Sequence, residues 1–211
     1  LKESEGGFVL NLRFANWIPV IFFLSGFAAL LYQVIWQRAL FVIFGINIES
    51  VTVVVTAFML GLGIGSLIGG VISRNPNCPL LLVFGFVELG IGIYGFFSLF
   101  LFKWVGSFTL GMSFINTKLI TFLLVLIPTL LMGSTLPLLV SHAVRISGNV
   151  GRSVGTLYFV NTVGSAIAAI MAALVLMRNL GQQGSVFFAA MLNLMIGLFV
   201  MFQHMYSGGR Q

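Results

Sequence analysis

The sequence predicts an all-α polytopic membrane protein, a bundle of about six transmembrane helices. Three observations predict it. Of 211 residues, 59% are hydrophobic and only 7% are charged, and the mean hydropathy is +1.14. Soluble domains carry about 25% charged residues, and a soluble fold of this size has too little interior to hide so much apolar side chain. The apolar residues fall in runs of about 20, the helix length that crosses a hydrocarbon core of about 30 Å. The net charge of +6 comes from basic residues scattered singly between those runs, which is how topology signals look rather than a nucleic-acid footprint. One cysteine, Cys78, excludes an internal disulfide. His142 and His204 are far apart in sequence, without partners at ligand spacing. No metal site and no cofactor is expected.

Residues 1–16 mix Lys2, Glu3, Glu5 and Arg13 with Phe8, Val9, Leu10, Leu12 and Phe14, the composition of a segment lying on the membrane surface. The chain starts with Leu1, as expected of a fragment or a processed product. The transmembrane domain is expected over 17–206, in two halves, 17–102 and 119–206, with a tail at 207–211. The first span is expected at Trp17–Trp36, with tryptophans at both ends where the interface would sit. It is too long for the apolar core of a cleavable signal. Residues 39–49 read as an apolar connection closed by Glu49 and Ser50, which suit a helix start.

The second span, Val51–Ser73, carries Gly61, Gly65 and Gly69 at four-residue spacing. On a helix they form one bare stripe, with Ser66, Gly70 and Ser73 beside it. In water each interior glycine would cost roughly 0.8–1.0 kcal/mol against alanine. In lipid the peptide groups have no water to bond, so the helix forms anyway, and the bare face admits a neighbouring backbone. Residues 74–79, with Pro76 and Pro79, read as a tight polar turn. The third span is expected at Leu80–Phe102. Lys103–Lys118 is too polar to span and reads as an interfacial or re-entrant piece pinned by Trp104. The fourth span, Leu119–Ser141, is interrupted by Pro128, Gly133 and Pro137, which bend a helix and free carbonyls. Residues 142–153 read as a basic loop. The fifth span is expected at Val154–Met177 and the sixth at Ser185–Tyr206.

Lys2, Arg13, Arg74, Arg145, Arg152 and Arg210 fall on one side of this topology, and Arg38, Lys103, Lys118 and Arg178 on the other. The positive-inside rule then places both termini in the cytoplasm, which in a bacterium means the inner membrane.

Two echoes suggest an internal repeat. The run Gly65–Gly70 in span two matches Gly164–Ala169 in span five, with Gly164 and Ala168 at packing positions. Glu88–Tyr94 in span three matches Asn193–Phe199 in span six. With three spans per unit, the second copy must be inverted, a habit of secondary transporters whose sites lie between the copies.

Glu88 is the one acid expected inside the hydrocarbon. It lies about eight residues, or about 12 Å, from the end of its span. A charged acid near a helix centre costs about 2.5–3.5 kcal/mol on insertion scales, so it must be protonated, paired or facing a wet cavity. Ser134, Thr135, Asn161 and Thr162 lie at a similar depth. Glu88, Asn161, Thr135 and Ser134 are therefore the expected lining of a polar pocket for a cation or a proton. The alternative is a protonated carboxyl that simply joins helices. Tyr32, Gln33, Trp36 and Arg38 form a second polar cluster, read as an interface belt with Tyr32 as a further candidate ligand contact. Asn193 is the repeat mate of Glu88 or a helix–helix bond. No catalytic residues are expected, because no nucleophile has a base beside it. GLGIGS at 61–66 lacks the strand–turn–helix setting of a dinucleotide site.

The runs Ser25–Arg38, Ala57–Gly70, Glu88–Gly92, Pro128–Leu139 (PTLLMGSTLPLL) and Gly155–Gly164 (GTLYFVNTVG) resemble the membrane half of spermidine synthase-like, or polyamine aminopropyltransferase-like, fused membrane proteins. The resemblance implies a multi-span module fused to a cytosolic aminopropyltransferase-like domain of Rossmann type. These 211 residues hold no such domain, and the turn after span two, Ser73–Pro76, departs from the family's basic–acidic pattern. Aminopropyl transfer is thus not assigned to them, and whether the chain is itself an enzyme stays open. Two functions follow. One is a transporter-like module for a small cationic metabolite such as a polyamine. The other is a non-catalytic anchor in the lipid bilayer that docks a soluble aminopropyltransferase-like domain or other membrane subunits. Neither involves nucleic acid.

Overall fold

A computed structural model of the chain describes residues 17–44, 48–109 and 112–208, and the regular structure among them is entirely helical. The expected surface segment 1–16 and most of the tail lie outside the described residues. Among the described residues, six helices are long and apolar enough to cross a membrane. They are α1 (Trp17–Phe44), α2 (Ile48–Ser73), α3 (Leu80–Phe108), α4 (Phe114–Ser147), α5 and α6 (Gly181–Gly208). Helix α5 starts as Val150–Met171, passes through one π-helical stretch, Ala172–Leu176, and ends at Met177–Asn179.

The helices outrun their expected limits. Residues 39–44 continue α1 instead of forming a connection, because Ala39 and Leu40 are buried in the core. Lys103–Lys118 is no re-entrant piece. Its first part is the end of α3 and its last part the start of α4, where the Ser113 hydroxyl accepts from the Asn116 amide and so satisfies an orphan donor. The expected basic loop 142–153 is mostly helix. Only Gly148 and Asn149 separate α4 from α5, Gly148 in the left-handed conformation at φ 66° and Asn149 capping the Arg152 amide.

Helix α4 also runs unbroken through Pro128 and Pro137. Proline at 128 cannot donate to the carbonyl four residues earlier. That carbonyl, on Leu124, instead accepts the Tyr94 hydroxyl of α3 at 2.5 Å. A neighbouring helix thus repairs the ladder that the proline opened.

Register gives the directions. Ser25, Tyr32 and Trp36 of α1 meet Glu88, Gly95 and Ser98 of α3 in ascending order, so α1 and α3 run parallel. Gly90 and Tyr94 of α3 meet Leu131 and Leu124 of α4, so α4 runs against α3. Gly85 and Gly92 meet Met201 and Leu194, so α6 also runs against α3. The second triplet is therefore inverted with respect to the first.

The two triplets pack reciprocally. The most extensive pairings are α2 with α4, α3 with α6 and α1 with α5. Exchanging α1 with α4, α2 with α5 and α3 with α6 turns this set into itself. It also turns α3·α4 into α1·α6, and both occur. Individual contacts obey the same exchange. A Cβ on Gly65 would strike the Leu130 carbonyl, and one on Gly164 would strike the Phe23 carbonyl. Gly133 rests on Leu62, and Gly26 on Asn161. Gly92 faces Leu194 and the Ala190 carbonyl, while Gly197 faces Leu89 and the Gly85 carbonyl. Phe23 to Leu130 and Gly26 to Gly133 are both offsets of 107; Leu62 to Asn161 and Gly65 to Gly164 are both 99; Gly85 to Ala190, Leu89 to Leu194 and Gly92 to Gly197 are all 105. A pseudo-two-fold axis therefore passes between α3 and α6, the pair that maps onto itself.

The glycine stripe is a backbone seat. Gly61 lies on Thr129, Gly65 on Leu130 and Gly69 on Ser134 and Pro137, all of α4. Ala168, the mate of Gly69 at the same offset of 99, is fully buried against the core. The outer faces of α2 and α5 expose Met59, Leu67 and Val71, and Phe159, Ile170 and Leu174, side chains that suit lipid.

One end of the bundle is tied by a single side chain. The Arg145 guanidinium donates to the carbonyls of Ser73, Asn75, Pro76 and Cys78, at 3.1, 2.7, 3.0 and 3.1 Å. A cation at this helix end satisfies carbonyls that α2 leaves open and complements its dipole. Arg145→Ala is expected to loosen the α2–α3 turn and speed thiol labelling of half-buried Cys78 several-fold. Equal labelling rates in the two proteins would contradict the clamp.

Candidate functional site

Glu88 is fully buried, in the first third of α3. Both carboxyl oxygens are occupied by neutral donors from the two flanking helices. The Ser25 hydroxyl of α1 donates to Oε1 at 2.6 Å, and the Asn193 amide Nδ2 of α6 donates to Oε2. Glu88 and Asn193 differ by 105, the offset that relates α3 to α6. They are mates under the two-fold, and they bond to each other across it. The hydrogen bond therefore lies on the axis.

The symmetry is broken on one side only. The mate of Ser25 at offset 107 is Met132, which cannot donate. Consistent with that, among the described residues the Asn193 carbonyl oxygen is buried without a partner. The Tyr32 hydroxyl is also buried without a partner among the described residues. It sits over Gly95, two helical turns along α3 from Glu88 and on the same face.

The local sequence explains the arrangement. Ser25 and Tyr32 are seven residues apart on α1, and Glu88 and Gly95 seven apart on α3, so both pairs face each other. Gly95 has no side chain to displace the Tyr32 ring. Tyr32 stacks on Trp36 at 4.7 Å, and the Trp36 indole donates to Ser98 at 2.9 Å, fixing α1 against α3. Magnitudes favour a bonded carboxyl. Exposing a charge here costs about 2.5–3.5 kcal/mol, while each hydrogen bond to a charged group returns about 1.5–3 kcal/mol. Two donors are the right order to offset the insertion.

The structure gathers some expected residues and scatters others. Glu88 is where the sequence puts it. Asn193 bonds it directly. Asn161 does not line this site; it packs half-buried against Gly26. Thr135 and Ser134 are buried but bond the Met132 and Leu131 carbonyls of their own helix, at 2.7 Å each. Tyr32 and Trp36 are not an interface belt, since both are fully buried. Ser25 was not singled out. A lone hydroxyl in an apolar span was the available signal, but depth alone does not tell which face of α1 meets α3.

Chemically the site is rich in acceptors. The Glu88 carboxyl has lone pairs to spare, and the Asn193 Oδ1 is an idle acceptor beside it.

Fold and site define a six-helix membrane module made of two inverted triplets, with a carboxyl–amide pair on their axis. Over 197 residues, 92% of its length, the chain is 23% identical to a polyamine aminopropyltransferase of Oceanobacillus iheyensis. It spans 37% of that relative's length. No family model and no solved structure matches the chain.

Proposed function

We propose that this chain is a transporter-like membrane module that binds a small organic cation at Glu88, between the inverted triplets, and passes it across the bilayer. The observation that carries this reading is the Glu88–Asn193 bond on the repeat axis. Inverted repeats place transporter sites at their mutual interface near the membrane midplane, and intramembrane acids mark ion and substrate pathways. The name of the relative points to polyamines as the cation to try first, and the acceptors around Glu88 suit an alkylammonium. Both termini lie in the cytoplasm in this reading. Because Glu88 is sealed, passage requires α3 and α6 to part on one face at a time. Purified protein in vesicles is expected to take up radiolabelled spermidine or putrescine faster than empty vesicles. Uptake no faster than through empty vesicles, for these and other amines, would overturn the reading.

A second reading has its own support. The aligned relative is much longer than this chain, which favours a membrane anchor for an aminopropyltransferase-like domain. It predicts a stable complex with such a domain that survives Glu88→Gln.

A further inference from the structure

We infer that Glu88 and Asn193 form a proton-exchange site, in which the carboxyl binds a proton and the Asn193 amide turns over to receive it. This deepens the proposed function and rests on it for its consequence, that cation movement is coupled to protons. The site itself is testable without any transport.

Among the described residues the Asn193 Oδ1 has no partner. A buried acceptor without a bond is costly, about 1–3 kcal/mol, and such groups require a reason. A side-chain amide presents a donor and an acceptor related by a half-turn. With Glu88 ionised, Nδ2 donates to Oε2, as observed, and Oδ1 is idle. With Glu88 protonated, its O–H becomes a donor. A half-turn of the amide then brings Oδ1 to accept that O–H, and the Ser25 bond to the other oxygen persists. The pair thus satisfies the carboxyl in both protonation states while exchanging only its own orientation. A second carboxylate at 193 would repel Glu88, and an apolar side chain would serve neither state. Asparagine serves both.

The setting isolates this equilibrium. Helix α1 presents Ser25 and the Tyr32 hydroxyl, α4 presents Leu131 beside Gly90, and α6 presents Asn193. Among the described residues, Tyr32 is the titratable group on the facing helix, while Tyr94, held by the Leu124 carbonyl, lies six residues along α3 from Glu88. Arg38, Lys103, Lys118, Arg145, His142 and His204 lie two helical turns or more along their helices. In exchange, an ammonium that enters as R–NH3+ displaces one H+ from the carboxyl, leaving R–NH3+ bonded to Glu88 carboxylate. Charge in the site is conserved, at one proton out for one ammonium in.

Infrared difference spectroscopy on detergent-purified protein tests this. Acidification is expected to produce the carbonyl stretch of a protonated carboxylic acid, reversibly, and Glu88→Gln is expected to remove it. In Ser25→Ala the band is expected to move to higher frequency, because the carbonyl loses its donor. In Asn193→Val it is expected to move because the O–H loses its acceptor, whereas a merely structural amide would leave it in place. A Glu88 band present at every pH the folded protein tolerates, or at none, overturns the inference. So does a band unmoved in Asn193→Val. If the band behaves as expected while vesicles remain tight to amines, the transport reading fails and the proton site stands.

Discussion

Gly65→Val is expected to leave little protein in the native fold. A Cβ at Gly65 meets the carbonyl of Leu130, which is backbone and cannot rotate away. Overpacking that side chains can absorb costs about 1–3 kcal/mol. Here α2 and α4 must separate, and this pair makes one of the largest interfaces in the bundle. Against a total stability of about 5–15 kcal/mol, the loss is severe. The two-fold predicts the same outcome for Gly164→Val, because that glycine meets the Phe23 carbonyl in the mate interface. Gly63→Val is the control, since nothing lies within 4 Å of a Cβ there. Size-exclusion chromatography and thermal unfolding in detergent check all three. Both interface variants should aggregate or melt early, and Gly63→Val should resemble the parent. A Gly65→Val protein as monodisperse and heat-stable as Gly63→Val would contradict the packing.

Glu88→Gln separates binding from folding. Glutamine keeps the shape and one acceptor, so the bond from Ser25 is retained and the fold is expected to survive. It removes the negative charge and the proton site. Amine uptake into vesicles is expected to fall by about tenfold or more, the effect of losing about 1.4 kcal/mol of interaction with the cation. Retained uptake in Glu88→Gln would place the cation elsewhere. Glu88→Leu is expected to be worse for folding, because the buried Asn193 amide and Ser25 hydroxyl both lose their partner.

The fold class was legible because lipid restricts the choices: long apolar runs must be helices. The glycine seat was legible from four-residue spacing in Gly61, Gly65 and Gly69, and the inverted repeat from the match of Glu88–Tyr94 with Asn193–Phe199. Helix limits were not, because amphiphilic ends such as 103–108 and 142–147 continue helices beyond the apolar run. Tyr32 and Trp36 misled for a related reason. Aromatic residues near a span's expected end resemble a belt, but α1 runs on to Phe44, which puts Trp36 well inside the helix. The site was half legible. Depth found Glu88, and repeat symmetry pointed to Asn193. Depth cannot fix rotation, so it does not tell that Asn161 packs against Gly26, that Ser134 and Thr135 bond carbonyls of their own helix, or that Ser25 reaches Glu88.

If the two-fold relates Glu88 to Asn193, the residues can trade places. Glu88→Asn combined with Asn193→Glu rebuilds the same bond across the axis, lacking only the Ser25 donor, whose mate is Met132. Asn193→Glu alone sets two carboxyls against each other, and Glu88→Asn alone leaves no acid. Thermal unfolding of the parent, both single variants and the double variant, measured side by side in detergent, reads this directly. The double variant is expected to unfold well above Asn193→Glu and near the parent. A double variant no more stable than Asn193→Glu would show that the two positions are not equivalent, and the axis through Glu88 would be lost.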